Sequence, residues 1–445
     1  MRRSTPTAPI RRAAAALAFP ISVTACSAGA PTASGTTAPD AAAPTDDGGL
    51  ADGGTVTPPF PASDLTPDPT CVTAGCLRSV ERFPTAEVSA ATLAAFAPAG
   101  TTFANGFRAY LVRYVSAKQD EVTATLFIPD VDAPATGFPA MVLSQPTSGI
   151  GPKCAPSLGL LSVAFAAHVA SHGIATLLPD APTFGPPPFA PYMHKETAAT
   201  ATLDGARVLL RIGTAIGTKL RREVVLGGHS QGAHSTLSAA EYWQSYAPEL
   251  PVRGVAVNGP PSHFLEGATY SLTNRGAFGY FLAMRMWSWR RVLGPAQPAI
   301  FVGTFAESEE TTFRECQNEG ANPGTGLLPD LVPANADGVV NPVYIAMAQA
   351  GVAGWAEPWK TWHVENVPHP KALPVPVAVW QGLADTTVLP SDTRSYVREL
   401  RAGGLDVELR EIAGAKHNDC VMGPITLTQA DQAGFLTWVR ARFSN

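Results

Sequence analysis

An apolar run, a serine bracketed by two glycines, and an immediate helix constrain this chain more than any other feature. The segment Val224–Thr236 reads VVLGGHSQGAHST. Glu223 to Leu226 has the β-branched, apolar character of a buried strand, and Ala233 to Tyr246 reads as a helix. A serine held between such a strand and such a helix sits on a sharp, strained turn that lifts its Oγ above the sheet edge. The turn crowds chain against helix, so the residues two before and two after the serine have to be small. Gly228 and Gly232 meet that demand, which makes Ser230 the candidate nucleophile. Gly-x-Ser-x-Gly alone is only moderately specific, because a chain with 40 glycines also produces it in loops. The strand before it gives it weight.

A serine hydroxyl is a poor nucleophile at neutral pH. A base has to take its proton, and a carboxylate has to fix the tautomer of that base. Asp385 follows the strand-like VPVAVWQ in the phrase QGLADTTVLP, and His417 follows VELREI in GAKHNDC. Serine, then acid after one late strand, then histidine after the last strand is the order of α/β-hydrolases. Asp392 opens a helix beginning near Ser391 and reads as a first-turn charge. Asp419 is too close to His417 in sequence to be the separate orienting acid. His229 is expected in the turn and His234 on the following helix, so neither presents its ring to Oγ. His168, His172, His194, His263, His363 and His369 read as packing or surface histidines. For the oxyanion of an attacked carbonyl, the first donor is the backbone N–H of Gln231 at the helix start. The second comes from the loop SQPTSGIGPKCAPS after the strand Ala140 to Ser144. This chemistry calls for no metal or organic cofactor.

The rest of the chain supplies a matching scaffold. Strands are expected at Phe107 to Ser116, Glu121 to Pro129, Ala140 to Ser144, Ile174 to Leu178, Arg253 to Val257, Val375 to Trp380 and Val407 to Ile412. Helices are expected at Leu158 to Ser171, Thr197 to Ile216, Ser391 to Ala402 and Thr426 to Phe443. Alternation of this kind predicts an α/β fold with a mostly parallel sheet and helices on both faces. The first two strands have no helix between them, which predicts an antiparallel edge. The alternation breaks over 262–370, where FGYFLAMRMWSWRRVL stands. An insertion of that length reads as a mainly helical cap, most of its aromatic residues forming ordinary core and some lining an acyl-binding surface. The α/β core is then 71–261 and 371–445.

A net charge of −5, with no extended basic cluster after the first dozen residues, argues against a nucleic-acid partner. Arg2, Arg3, Arg11 and Arg12 form a basic start, and Ala13 to Ala25 a short apolar run too brief to span a bilayer, so 1–25 reads as an export signal. It ends in Val-Thr-Ala-Cys, which resembles the lipobox of bacterial lipoproteins; that resemblance implies lipidation of Cys26 and a membrane link through this anchor alone. An envelope lipoprotein is expected, with a secreted enzyme as the alternative. Residues 26–70, with six aspartates, no lysine or arginine and little to bury, read as a disordered tether. Cys71 and Cys76 are candidates for a small disulfide loop in an oxidising compartment. Cys154, Cys316 and Cys420 leave the pairing of a second bridge open, and none has a zinc-like spacing.

Over most of Phe107 to Phe443 the chain resembles the secretory lipase family of α/β-hydrolases, which includes fungal lipase A type enzymes. The resemblance is carried by GGHSQGAH, LDGARVLL, CAPSLG, YAPELPVRGVAVNGPPSHF, VAVWQGLADTTVLP and GAKHNDC. It implies a carboxylic ester hydrolase with an acyl-enzyme and a cap over the acyl site. The family's His-Gly-Thr in the oxyanion loop is Gln145-Pro146-Thr147 here. Proline has no N–H, so the donor falls to Thr147. The family's Asp-Tyr-x-Gly-Leu-Gly becomes DAPTFGPPP from Asp180, implying a reshaped pocket wall. The expected substrate is a small-molecule or lipid ester. The rivals are acyl transfer or peptide cleavage on the same three residues, an inactive envelope binding protein, and a surface interaction protein whose cap is the binding face.

Overall fold

The computed structural model describes residues 63–83, 88–94, 102–158, 160–185, 188–276, 278–294, 298–317, 331–417, 419 and 429–443. The expected export signal, Cys26, Cys420 and the first three residues of the expected last helix lie outside them.

Short β-branched runs become strands and the longer runs between them become helices. The strands are β1 (Leu77–Arg82), β2 (Phe107–Val115), β3 (Glu121–Pro129), β4 (Phe138–Ser144), β5 (Ala175–Pro179), β6 (Leu220–His229), β7 (Val252–Asn258), β8 (Val377–Gly382) and β9 (Val407–Ile412). They form one sheet in the order β1-β2-β3-β5-β4-β6-β7-β8-β9. Every pairing among β4 to β9 is parallel, and those of β1 with β2, β2 with β3, and β3 with β5 are antiparallel. The helices around the sheet are α1 (Ala90–Ala94), α2 (Leu160–Ser171), α3 (Lys195–Leu209) and α4 (Gln231–Tyr246).

Successive side chains of a strand point to opposite faces, and both faces here are apolar. Ala140, Val142, Val224 and Leu226 enter the core on one face, while Met141, Leu143 and Val225 enter the core on the other. Continuous apolar runs, rather than alternating ones, are therefore what the central strands need.

The expected antiparallel edge is present, with one strand more than the sequence indicates. β1 is LRSVER, a largely polar edge strand with a single fully buried residue, Leu77, so no hydrophobic pattern marks it. The expected tether also ends earlier than Thr70. Leu65 is 4% exposed, its N–H donates to the Arg211 carbonyl at 2.9 Å, and Asp64 bonds Thr214 and Arg222. Burial of one leucine with satisfied backbone is enough to dock an otherwise polar stretch. Cys71 and Cys76 form a disulfide directly after it. α3 stops at Leu209 rather than Ile216, in a turn through Gly213 and Gly217.

The insertion holds α5 (Phe264–Thr273), α6 (Tyr280–Leu293), α7 (Gly303–Thr312), α8 (Pro342–Gln349) and α9 (Trp359–Glu365), before α10 (Pro390–Ala402) and α11 (Gln429–Ala441) return to the sheet. Leu282 to Trp289 are all buried, so this run of α6 is core on every side. It shares one apolar core with Val255, Val257, Val377 and Val379 of β7 and β8, which seats the cap on the sheet.

Candidate active site

β6 leads straight into Ser230, whose φ of 51° and ψ of −118° are unfavourable for a residue with a Cβ. The surrounding bonds hold it there. Ser230 N–H donates to Asn258 O at 2.9 Å, and His234 N–H donates to Ser230 O at 3.1 Å as α4 begins. The two glycines are required by contact. A Cβ on Gly228 would lie 2.1 Å from Gly232 O, and one on Gly232 would lie 1.9 Å from Ser144 O and 2.7 Å from Gln145 O.

Asp385 stands in the turn after β8 with its side chain fully buried. Its Oδ1 accepts the Thr387 and Val388 N–H groups at 2.8 and 2.9 Å, and its Oδ2 accepts Gln381 Nε2 at 3.3 Å. The same Oδ2 is 2.7 Å from His417 Nδ1. Burial pushes this carboxyl up, but the hydrogen bond and charge of His417, with the two backbone donors, outweigh it and hold the group below its ordinary value. With Nδ1–H given to the carboxylate, His417 turns a bare Nε2 toward Ser230 Oγ at 2.9 Å, and that nitrogen accepts the hydroxyl proton. Gly259, at φ +51°, lies beneath the pair; a Cβ there would be 3.2 Å from His417 Cε1.

The three residues singled out from the sequence are thus brought into one hydrogen-bonded chain. The alternatives are not. Asp392 lies in the first turn of α10, and Asp419 caps Lys416 N–H in its own loop at 2.9 Å. His234 Nε2 bonds Asn366 O at 2.8 Å. His229 is buried with its ring centroid 4.6 Å from that of His417. Burial, reinforced by the neighbouring His417, drives its pKa far down, so it packs beside the base as a neutral ring.

Gln231 opens α4, so its N–H has no acceptor within the helix and lies at the positive end of the dipole. The Ser144 and Gln145 carbonyls press on Gly232 and bring the loop 145–158 alongside. Thr147 in this loop is buried, and its hydroxyl is 2.9 Å from Tyr192 Oη; it makes no hydrogen bond to Ser230, His417 or Asp385 among the described residues. Tyr192 escapes sequence reasoning because a single aromatic residue in the loop before α3 has no periodicity to mark it. It is held on both sides by the cap. Tyr192 N–H donates to Ser288 Oγ at 3.2 Å, and Trp289 Nε1–H donates to Tyr192 O at 2.9 Å.

Three further links bind the same loop to the cap. Cys154 is disulfide-bonded to Cys316, Lys153 Nζ is 2.7 Å from Glu315 Oε2, and Gln317 N–H donates to Ser148 O at 2.8 Å. The far end of the loop rests on Asp180, which accepts Ser157 N–H and Oγ–H at 3.0 and 2.6 Å. Burial raises the Asp180 carboxyl to about 7, against the lowering effect of those two bonds.

Among the described residues no group of three or more His, Cys, Asp or Glu side chains is arranged to hold a metal ion. A cleft lined by Val377, Glu408, Arg410, Trp438 and Arg442 opens at the opposite end of the parallel strands and contains none of the groups above.

Such a sheet, with a strained serine after its central strand, invites comparison with known proteins. The matching family model is the Alpha/beta hydrolase family, over residues 154–424, more than half of the chain. The chain belongs to the alpha/beta hydrolase family. Lipase A of Moesziomyces aphidis is 25% identical over 221 residues, which are 49% of this chain and 45% of that protein. The chain therefore spans about half the length of that curated relative. Two solved structures share the fold. The rice cell wall degrading esterase LipA of Xanthomonas oryzae superposes with a TM-score of 0.63 at 16% identity, covering 82% of this chain and 97% of that one. Candida antarctica lipase A in its closed state gives a TM-score of 0.53 at 18% identity, covering 82% and 90%.

Proposed function

We propose that this hydrolase cleaves carboxylic esters through an acyl-enzyme. The observation that carries the reading is the continuous chain from Ser230 Oγ through His417 to Asp385, with spacings of 2.9 and 2.7 Å. Ser230 Oγ attacks the ester carbonyl carbon as its proton passes to His417 Nε2. The oxyanion is held by the Gln231 N–H and a donor of Thr147. Collapse of the tetrahedral intermediate re-forms the carbonyl and breaks the bond from its carbon to the alkoxy oxygen, and the departing alcohol takes the proton from His417. Water, deprotonated by the same nitrogen, then releases the acid and restores Ser230. The N–H donors gathered on Asp385, from Thr387, Val388, Gln381 and His417, keep it ionised despite its burial, so it stabilises the imidazolium at both stages. Lipase and esterase relatives favour an ester over an amide substrate.

The same reading makes the enzyme exported, with Cys26 as the lipidated anchor. Two cysteine pairs in the folded part support an oxidising compartment.

The test is hydrolysis of p-nitrophenyl esters from acetate to palmitate by the tether-free protein and by Ser230→Ala. The variant is expected to lose at least about 10⁴-fold in turnover, and the chain-length optimum separates esterase from lipase. Equal rates for the two proteins would end the reading.

A further inference from the structure

Arg285, on the cap helix α6, is 9% exposed and lacks the partner a buried cation normally has. A guanidinium carries five N–H donors. Nη2 donates to Phe264 O at 3.0 Å, Nε is buried without a partner, and no carboxylate lies within ion-pairing distance among the described residues. Its faces are covered instead by aromatic rings, Phe264 with Cζ 4.4 Å from the centroid and Trp289 at 5.3 Å. Burial lowers its pKa to about 10, and the one neighbour that offsets this is the Tyr192 phenol. Arg207, by contrast, is equally buried and reaches both Asp204 and Glu249. An uncompensated buried charge is costly, whereas the same charge facing an anion is strongly attractive.

Two chains of contacts lead from this cation toward the elements that hold the reacting groups. Phe264, whose carbonyl accepts from Arg285, has its ring 5.7 Å from His234, which lies one turn past Ser230 on α4. Tyr192, on the other side, shares a hydrogen bond with Thr147 in the oxyanion loop. The neighbouring imidazoles do not add charge. Burial, with Lys195 and then Arg285 adding to it at His234 and Arg285 at His363, holds both rings at about 3, and Lys195 is itself paired with Glu241.

We propose that Arg285 is an anion subsite beneath the cap, and that the preferred ester carries a free carboxylate on the portion bound there. This rests on the ester-hydrolase reading and narrows it to a substrate class. A carboxylate would take the Nε and Nη donors side by side, the geometry guanidinium favours. The cation–π contacts would hold the guanidinium plane while it did so.

The test uses a matched pair, p-nitrophenyl hydrogen glutarate and p-nitrophenyl methyl glutarate, with wild type and Arg285→Met. Wild type is expected to favour the acid over its methyl ester in kcat/KM by about ten- to a hundredfold, the range of a charge-assisted hydrogen bond. The preference should reside in KM and collapse in the variant. Hydrolysis of both esters without preference for the acid would overturn the proposal while leaving ester hydrolysis intact, whether or not the variant folds. An undiminished preference in a folded Arg285→Met would overturn it as well. If neither ester is turned over, the hydrolase reading fails by itself, and titration calorimetry of wild type with glutarate against glutaramide decides the subsite. Binding of the dianion alone supports it, and equal or absent binding of both removes it.

Discussion

The two halves of the site are built by different means. The serine half belongs to the sheet: β6, β7 and β8 deliver Ser230, Asn258 and Asp385, and strand pairing fixes their spacing. The half proposed to hold the oxyanion belongs jointly to the sheet and the cap. The loop 145–158 is clamped by Tyr192, a disulfide, an ion pair and a backbone bond, and all four reach cap residues. A scaffold made of parallel strands holds its residues by many small, local terms. A loop clamped across the cap interface depends on a few contacts between residues distant in sequence. The first half should therefore lose chemistry without losing fold when a side chain is changed, and the second should lose both together.

The sharpest break in that contrast is Asp385→Asn. The amide oxygen stays with the Thr387 and Val388 N–H groups and its NH2 then donates to His417 Nδ1, forcing the wrong tautomer, so turnover is expected to fall by about 10⁴-fold with the melting temperature nearly unchanged. A large drop in melting temperature would mean that the serine half is not as independent as its strands imply. Replacing Cys154 and Cys316 together by alanine tests the other half. The bridge spans 162 residues, so its removal is expected to cost ~2–5 kcal/mol of unfolding free energy. It should also lower turnover by about 10²-fold, the scale of one lost oxyanion donor. Unfolding in denaturant and steady-state kinetics on the same preparation separate the two effects.

The smallest expected effect concerns Asp180. Its folded pKa of about 7 exceeds the usual carboxyl value of 3.8, so the unfolded chain gives up this proton first. Below about pH 4 the group is protonated in both states and contributes nothing. Its penalty then grows with rising pH up to about 7 and stays constant above. Asp180→Asn removes that slope, and its melting temperature should gain a few degrees on wild type between pH 4 and 7. A constant difference over that range would show that burial does not govern this carboxyl.

The same division explains what the sequence discloses. Ser230, Asp385 and His417 are legible because each follows a strand whose apolar run is unmistakable, and because Gly228 and Gly232 have no room for a Cβ. The parallel sheet is legible for the same reason. β1 is not, since an edge strand with one buried residue carries no period. Tyr192 is not, since its importance lies in joining Thr147 to α6 across the fold. The pairing of Cys154 with Cys316 is likewise decided by the packing of the cap, where neither spacing nor composition can choose among three cysteines. Thr147 is only half legible. Its loop is found from the preceding strand, but its hydroxyl engages Tyr192 rather than the reacting groups.

Exchange of parts between relatives is constrained by this clamp. A transplanted cap that lacked Cys316, Glu315 and Ser288 in register would leave the loop beside the serine unsupported on its outer side. The natural boundary for a chimaera therefore does not fall at the ends of the insertion. It has to carry 145–158 and the turn around Tyr192 along with the cap, because these three segments, separate in the chain, are locked together as one piece of machinery.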